Sequence, residues 1–303
     1  RFKTRKYLAF VKQTIKAFPP GPDKSIKRIY KSPSPLSLNK ELRKKANDLG
    51  ILKEIHFLKR EGYCVLENVF SKNLVSQLRA SILKLSNETK GDYKGLSASL
   101  LLGRDPIYEK IVTNKKLLTV VEFAVGKGAL LSQLLGGIRP EGGGNFELHI
   151  DSAWTPAPLP KYPLFITACL PCEDFTFEAG CTKVVPKSHY FRRQPSPKEV
   201  LKEENAVPIE CPRGSLVFWL GSTWHGNYPR LIEGKRVVLH ISFSRLMMRP
   251  VENYDHLNEK YLRNKPKELR IMLGREDFLG TTSKTSGGAD RSKTVKTFNW
   301  SQS

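Results

Sequence analysis

A chain of 303 residues with a hydrophobic fraction of 39% can bury one substantial core with appended elements, and its composition is that of a folded soluble protein. No apolar run approaches the roughly 20 residues that a transmembrane helix needs. The net charge of +22 is concentrated at the ends, with +13 over residues 1–60, +3 over 61–259 and +6 over 260–303, so a nearly neutral block lies between basic flanks.

Residues 1–18 set Phe2, Tyr7, Leu8, Phe10, Val11, Ile15 and Phe18 among basic and amide side chains. This is the make-up of a basic amphipathic helix, either in contact with a membrane surface or docked on its own domain. Pro19-Pro20-Gly21-Pro22 breaks any helix, and 23–40 reads as an extended basic linker. A first residue of Arg1 implies a fragment or a processed form. Helical patterns follow at 40–47 and around His56-Phe57-Leu58, where Gly62 is the stop, and Tyr63-Cys64-Val65-Leu66 reads as a strand. Ser71 is placed to cap a helix with Leu74, Val75, Leu78, Ile82 and Leu85 on one face, and another helix is expected over 114–124. Gly136, Gly137 and Gly142-Gly143-Gly144 read as turns around the strand that leads to His149. They lack the pattern of a phosphate loop.

Past Asp151, short apolar runs at 162–170, 182–185, 215–220 and 237–244 alternate with turns and have no helices between them. Strands at this spacing predict an antiparallel sandwich or barrel. The fold expected is α+β, mainly β with flanking helices, in the form of a double-stranded β-helix (jelly-roll, cupin-like). Three regions are expected: a basic extension and linker at 1–54, the catalytic domain at 55–250, and a basic extension at 251–303 whose end, 281–303, has the composition of a disordered tail. The five cysteines include a lone Cys169-x-x-Cys172 whose members face opposite sides of a strand. They read as small core or loop residues in a reducing, cytoplasmic setting.

The stretch Leu148-His149-Ile150-Asp151 carries the chemistry. In a strand, His149 and Asp151 share one face while Leu148 and Ile150 enter a core. His225 follows the strand-like run Gly214-Ser215-Leu216-Val217-Phe218-Trp219, and Arg236 comes 11 residues later. Two histidines and a carboxylate on one side of a metal are the ligand set of non-haem Fe(II) oxygenases, with positions left for cosubstrate and O2. A dicarboxylate cosubstrate needs a cation at its far end, and the planar fork of arginine suits a carboxylate. Asn227 is a candidate second donor to the cosubstrate. On strand 235–243, Arg236 shares a face with His240 and Ser242. His189 reads as a structural histidine, and Trp154 and Trp224 as packing that shields the ligand segments.

Over roughly 55–244 the sequence resembles the phytanoyl-CoA dioxygenase family. The resemblance rests on Gly62-Tyr63-Cys64-Val65-Leu66, on the His149-Ile150-Asp151 segment, on Glu173-Asp174-Phe175-Thr176 leading into Gly180-Cys181-Thr182-Lys183-Val184-Val185-Pro186-Lys187-Ser188-His189, and on Trp224-His225-Gly226-Asn227 with Gly234-Lys235-Arg236. It implies that His149, Asp151 and His225 bind Fe(II), that Arg236 pairs with the distal carboxylate of 2-oxoglutarate, and that O2 is the oxidant. Lys187 stands where the family usually has Gly, and Cys181 where it often has Ala. Halogenases of the family lack the aspartate, so Asp151 favours hydroxylation. The substrate expected is a small molecule or acyl group, anionic in keeping with the basic flanks, and no obligate nucleic-acid partner is expected. Two alternatives are a nucleic-acid-directed dioxygenase and a zinc hydrolase on the same fold.

Overall fold

The computed structural model describes residues 36–275. The expected helix at 1–18, the linker up to residue 35 and the tail at 281–303 lie outside the described residues. A compact unit runs Lys40–Glu276 and so extends past 55–250 at both ends. The reason is packing. At the front, helix α1 (Lys40–Asp48) buries Leu42 and Ala46, and Lys45 reaches Glu122 at 3.3 Å. At the back, Tyr254, Leu257, Leu262, Leu269 and Met272 are buried. The Glu252 carboxylate there accepts from the Leu100 and Leu134 amides, each at 2.9 Å, and from the Tyr254 hydroxyl at 2.7 Å. These apolar residues are too widely spaced to form a periodic pattern in the sequence.

Helix α2 (Leu52–Glu61) ends at Gly62, whose φ of 86° lets its amide close back on Leu58. Strand β1 (Tyr63–Leu66) follows. Helix α3 (Lys72–Ser86) is capped by the Ser71 side chain and buries the expected face. Several helices were not foreseen, although signals for two of them are plain. Asp105 caps α4 (Pro106–Val112) with proline in the first turn, and Ser196 with Glu199 makes a capping box on α6 (Pro197–Lys202). Between these, Asn114 caps α5 (Lys115–Val125). Two short helices, α7 (Glu259–Leu262) and α8 (Lys267–Met272), close the unit.

The remaining strands are β2 (Ser97–Ala98), β3 (Leu130–Pro140), β4 (Phe146–His149), β5 (Phe165–Pro171), β6 (Thr182–Val184), β7 (Val207–Pro208), β8 (Leu216–Leu220), β9 (His225–Asn227) and β10 (Lys235–Ser244). They form two antiparallel sheets, ordered β1-β8-β5-β10-β3-β2 and β4-β9-β6-β7. Strands β3 to β10 are thereby shared out as in a jelly roll, and the expected fold class holds. Helix α6 (Pro197–Lys202) breaks the expectation of no helices between the later strands, and an expectation about turns also fails. Gly136 and Gly137 are not turn residues but sit inside the longest strand, β3. A Cβ on Gly136 would fall 2.7 Å from Ile82 of α3, so glycine is there to let a helix lie against the sheet.

Strand β10 is the middle of the larger sheet, hydrogen-bonded to β3 and β5. Its Val237, Leu239, Ile241 and Phe243 point outward beneath the helices and are fully buried. Each such side chain stabilises the fold by about 1.5–3 kcal/mol. The alternate residues, Arg236, Val238, His240 and Ser242, face the second sheet. Between the sheets, Cys169, Val217, Trp219 and Val238 of the larger one pack with Val184 of the smaller. All five cysteines are buried and unpaired.

Candidate metal centre

The smaller sheet brings the two histidines together. His149 on β4 and His225 on β9 are direct partners in the antiparallel register, with ring centroids 4.3 Å apart. Asp151, two residues past His149, puts Oδ1 at 3.4 Å from the His225 Nε2. One ligand atom from each of the three lies within 4.8 Å of the other two, a spacing that can hold a metal ion. Leu148 and Ile150 point the other way, as expected, into a cluster with Leu159, Val185 and Trp224.

The surroundings fix which atoms are free. His149 Nδ1 lies 2.8 Å from the Glu147 carbonyl and His225 Nδ1 lies 2.9 Å from the Thr223 carbonyl. A carbonyl only accepts, so both Nδ1 atoms carry the hydrogen and both Nε2 atoms turn toward Asp151 and the interior. Asp151 is held by one oxygen. Thr167 Oγ1 donates to Oδ2 at 2.8 Å and Trp219 Nε1 donates to the same oxygen at 2.9 Å, which leaves Oδ1 for a cation. The indole of Trp219 also packs on the His225 ring at 4.7 Å. Burial of His149 and the neighbouring His225 lower its pKa, so the neutral, metal-binding form prevails. Burial alone would raise the Asp151 carboxyl. The adjacent His225 and the hydrogen bonds it receives hold it well below the usual carboxylate range instead. A donor set of two imidazoles and one carboxylate suits a divalent iron ion, which binds imidazole in its neutral form and carboxylate in its ionised form.

Arg236 lies on the interior face of β10 and is buried. Its Nη1 donates to the Gly180 carbonyl, and its Nε has no hydrogen-bond partner. Burial lowers its pKa to about 10, so it remains a cation at neutral pH. Among the described residues no carboxylate pairs with it. An uncompensated buried charge is costly, and a carboxylate-bearing ligand would remove that cost. Asn227 is on the same face of β9 as His225, and its amide donates to Thr182 Oγ1 at 3.2 Å.

The peripheral residues divide. His189 is buried and structural, packed against the Gly62 backbone. Trp224 is buried with its indole donating to the Arg193 carbonyl at 2.8 Å, but Trp154 is 72% exposed and meets Phe165 edge-on at 6.0 Å. Thr167, Trp219 and Ser242, whose hydroxyl lies 3.1 Å from that of Thr167, were not foreseen as site residues. Trp219 stood in the motif before His225, yet only the pairing of β8 with β5 puts its indole beside Asp151.

The family model for phytanoyl-CoA dioxygenase matches residues 58–236. The chain belongs to the phytanoyl-CoA dioxygenase family. It is 23% identical over 234 residues to the uncharacterized protein Rv1501 of Mycobacterium tuberculosis, an alignment that spans 70% of this chain and 82% of that one. Among solved structures, HygX from Streptomyces hygroscopicus with nickel and 2-oxoglutarate bound superposes with a TM-score of 0.56 at 17% identity, covering 65% of this chain and 88% of HygX. The non-heme alpha ketoglutarate dependent epimerase SnoN from nogalamycin biosynthesis gives a TM-score of 0.56 at 17% identity, covering 68% and 88%. Both likenesses are of fold. As a member of a dioxygenase family with a metal-competent His-Asp-His group in place, this chain is an oxygenase. Among the described residues no helix is long and apolar enough to cross a membrane.

Proposed function

We propose that the protein is an Fe(II)- and 2-oxoglutarate-dependent dioxygenase that hydroxylates an unactivated C–H bond of a small-molecule or acyl substrate. His149, Asp151 and His225 would hold the iron, Arg236 the distal carboxylate of 2-oxoglutarate, and Asn227 would contribute a further donor. The single observation that carries this reading is Arg236. A buried guanidinium with a free Nε shares the interior with a three-ligand metal group, and a hydrolytic metal site has no use for it.

When bound, iron supplies the activation of O2 at the expense of 2-oxoglutarate, which leaves as succinate and CO2. The protein supplies placement. The carbonyls of Glu147 and Thr223 lock both imidazoles with Nε2 inward, and Thr167 with Trp219 restricts Asp151 to one ligating oxygen, so positions stay open for cosubstrate and O2. Val184, Trp219 and Val238 keep the interior apolar around these groups. The exposed Phe146, 5.5 Å from the His149 ring, and Trp154 offer apolar surface beside the ligand segments for a substrate. The basic residues ahead of Lys40 act outside the chemistry, in capture of an anionic surface, and the unpaired buried cysteines suit a cytoplasmic setting.

The test is succinate release by the full chain with Fe(II) and 2-oxoglutarate against acyl-CoAs, amino acids, lipids and sugars. Product gaining one oxygen atom from O2 is expected for one class. Absence of iron-dependent 2-oxoglutarate consumption under every condition would sink the proposal. A chain lacking residues 1–35 should keep basal decarboxylation and lose salt-sensitive binding to anionic vesicles.

A further inference from the structure

Three arginines meet at one end of the interior, and their hydrogen bonds separate them. Arg230 is buried and satisfied, with Nε donating to Gly234 at 3.2 Å, Nη1 to Ala179 at 3.4 Å and Nη2 to Glu233 at 2.6 Å, all of them carbonyls. It braces the turn before β10. Arg236 has an unpartnered Nε. Arg139 on β3 is the direct cross-strand partner of Arg236, so the two side chains leave the sheet on the same face. Among the described residues its guanidinium makes one hydrogen bond, from Nη1 to the carbonyl of its neighbour Ile138 at 2.9 Å.

Like charges at directly opposed positions are destabilising, and the site is desolvated enough that burial lowers the Arg139 pKa as well. Among the described residues neither guanidinium has a carboxylate partner. The stem of Arg139 is nevertheless fixed. It lies against Gly144, where a Cβ would come within 3.0 Å of its Cγ and 3.1 Å of its Cδ. Gly144 belongs to the segment that carries the chain from the larger sheet to the smaller, so the stem runs between the sheets. His240, on the same face of β10, is pulled down to about 4 by burial and then by Arg236, with Arg139 acting in the same direction. Two cations thus stand opposite each other, Arg236 buried and Arg139 half-buried, and among the described residues no anion lies between them.

We propose that Arg139 and Arg236 together form one two-guanidinium receptor for the distal carboxylate of 2-oxoglutarate, Arg139 closing on the oxygen that Arg236 leaves free. This rests on the proposed function. It differs from that reading in making the cosubstrate site depend on β3 as well as β10.

The experiment titrates the Mn(II)-loaded full chain under argon with 2-oxoglutarate and with 2-oxobutanoate, which keeps the 2-oxo acid head and lacks the distal carboxylate. Arg139→Gln and Arg236→Gln should each weaken 2-oxoglutarate binding by about tenfold or more, with 2-oxobutanoate binding unchanged. Arg139→Lys, which keeps the charge and loses the fork, should fall between wild type and Arg139→Gln. Without any 2-oxo acid, Arg139→Gln should melt no lower than wild type, because it loses a like-charge contact. A 2-oxoglutarate Kd unchanged in both Arg139 variants, beside a weakened Arg236→Gln, would overturn the inference alone. An unchanged Kd in Arg236→Gln would overturn the proposed function with it. A lower melting temperature for anion-free Arg139→Gln and Arg139→Lys would make Arg139 a structural side chain and end the proposal.

Discussion

The two faces of β10 are built on opposite terms. On the outer face, Val237, Leu239 and Ile241 are 0% exposed and Phe243 is 1% exposed, and they are specified by shape and volume alone. On the inner face, Arg236 donates to the Gly180 carbonyl and the Ser242 hydroxyl lies 3.1 Å from that of Thr167, so these positions are specified by polar atoms. One strand thus divides stability and polar contacts between alternate residues, and damage to each face should read out differently.

The largest effect should come from the ligands themselves. His149→Ala, Asp151→Ala or His225→Ala should each abolish iron-dependent 2-oxoglutarate turnover while the melting temperature of the metal-free protein changes little; turnover near wild type in any of them would break the comparison. Leu239→Ala should do the reverse. It should destabilise the protein by about 2–5 kcal/mol, measured by denaturant unfolding, and the folded fraction should bind Mn(II) as wild type does.

Trp219→Phe sharpens the contrast, since phenylalanine keeps the packing on His225 and removes the hydrogen bond to Asp151 Oδ2. Metal affinity should drop by about 10–100-fold with little change in stability, as calorimetric titration can decide. The smallest effect concerns a histidine outside the site. Burial lowers His189 to about 4, so between that value and the ordinary histidine pKa near 6.5 the unfolded chain binds the proton and the folded chain does not. Stability is full above pH 6.5 and falls on acidification toward pH 4. His189→Gln should flatten that part of the melting-temperature profile, and an unaltered slope would show that other groups carry it.

What the sequence disclosed was what local pattern encodes. The Ser71 cap, the Gly62 stop, the strand at Tyr63–Leu66 and the inward set of Leu148 and Ile150 all follow from neighbours a few residues apart. The grouping of His149, Asp151 and His225 was legible because a metal demands particular residue types, and Arg236 drew notice as a candidate because a dicarboxylate demands a cation. Strand β3 was missed because Gly136 looks like a turn until Ile82 of a distant helix is seen against it. Thr167, Trp219 and Arg139 escaped for a related reason. Their meaning lies in the register of β5, β8 and β3 with their neighbours, which no stretch of one strand contains.

One consequence follows from the direct opposition of His149 and His225. They sit on strands of four and three residues, in a sheet with few hydrogen bonds to hold it, and they lie far apart along the chain. A cation shared between them would act as a crosslink. It would shorten the loop an unfolding chain can open, and so reduce the entropy gained by opening. Its binding energy would then be folding energy for the smaller sheet in particular, and the protein's metal supply would set how firmly that half of the jelly roll stays closed.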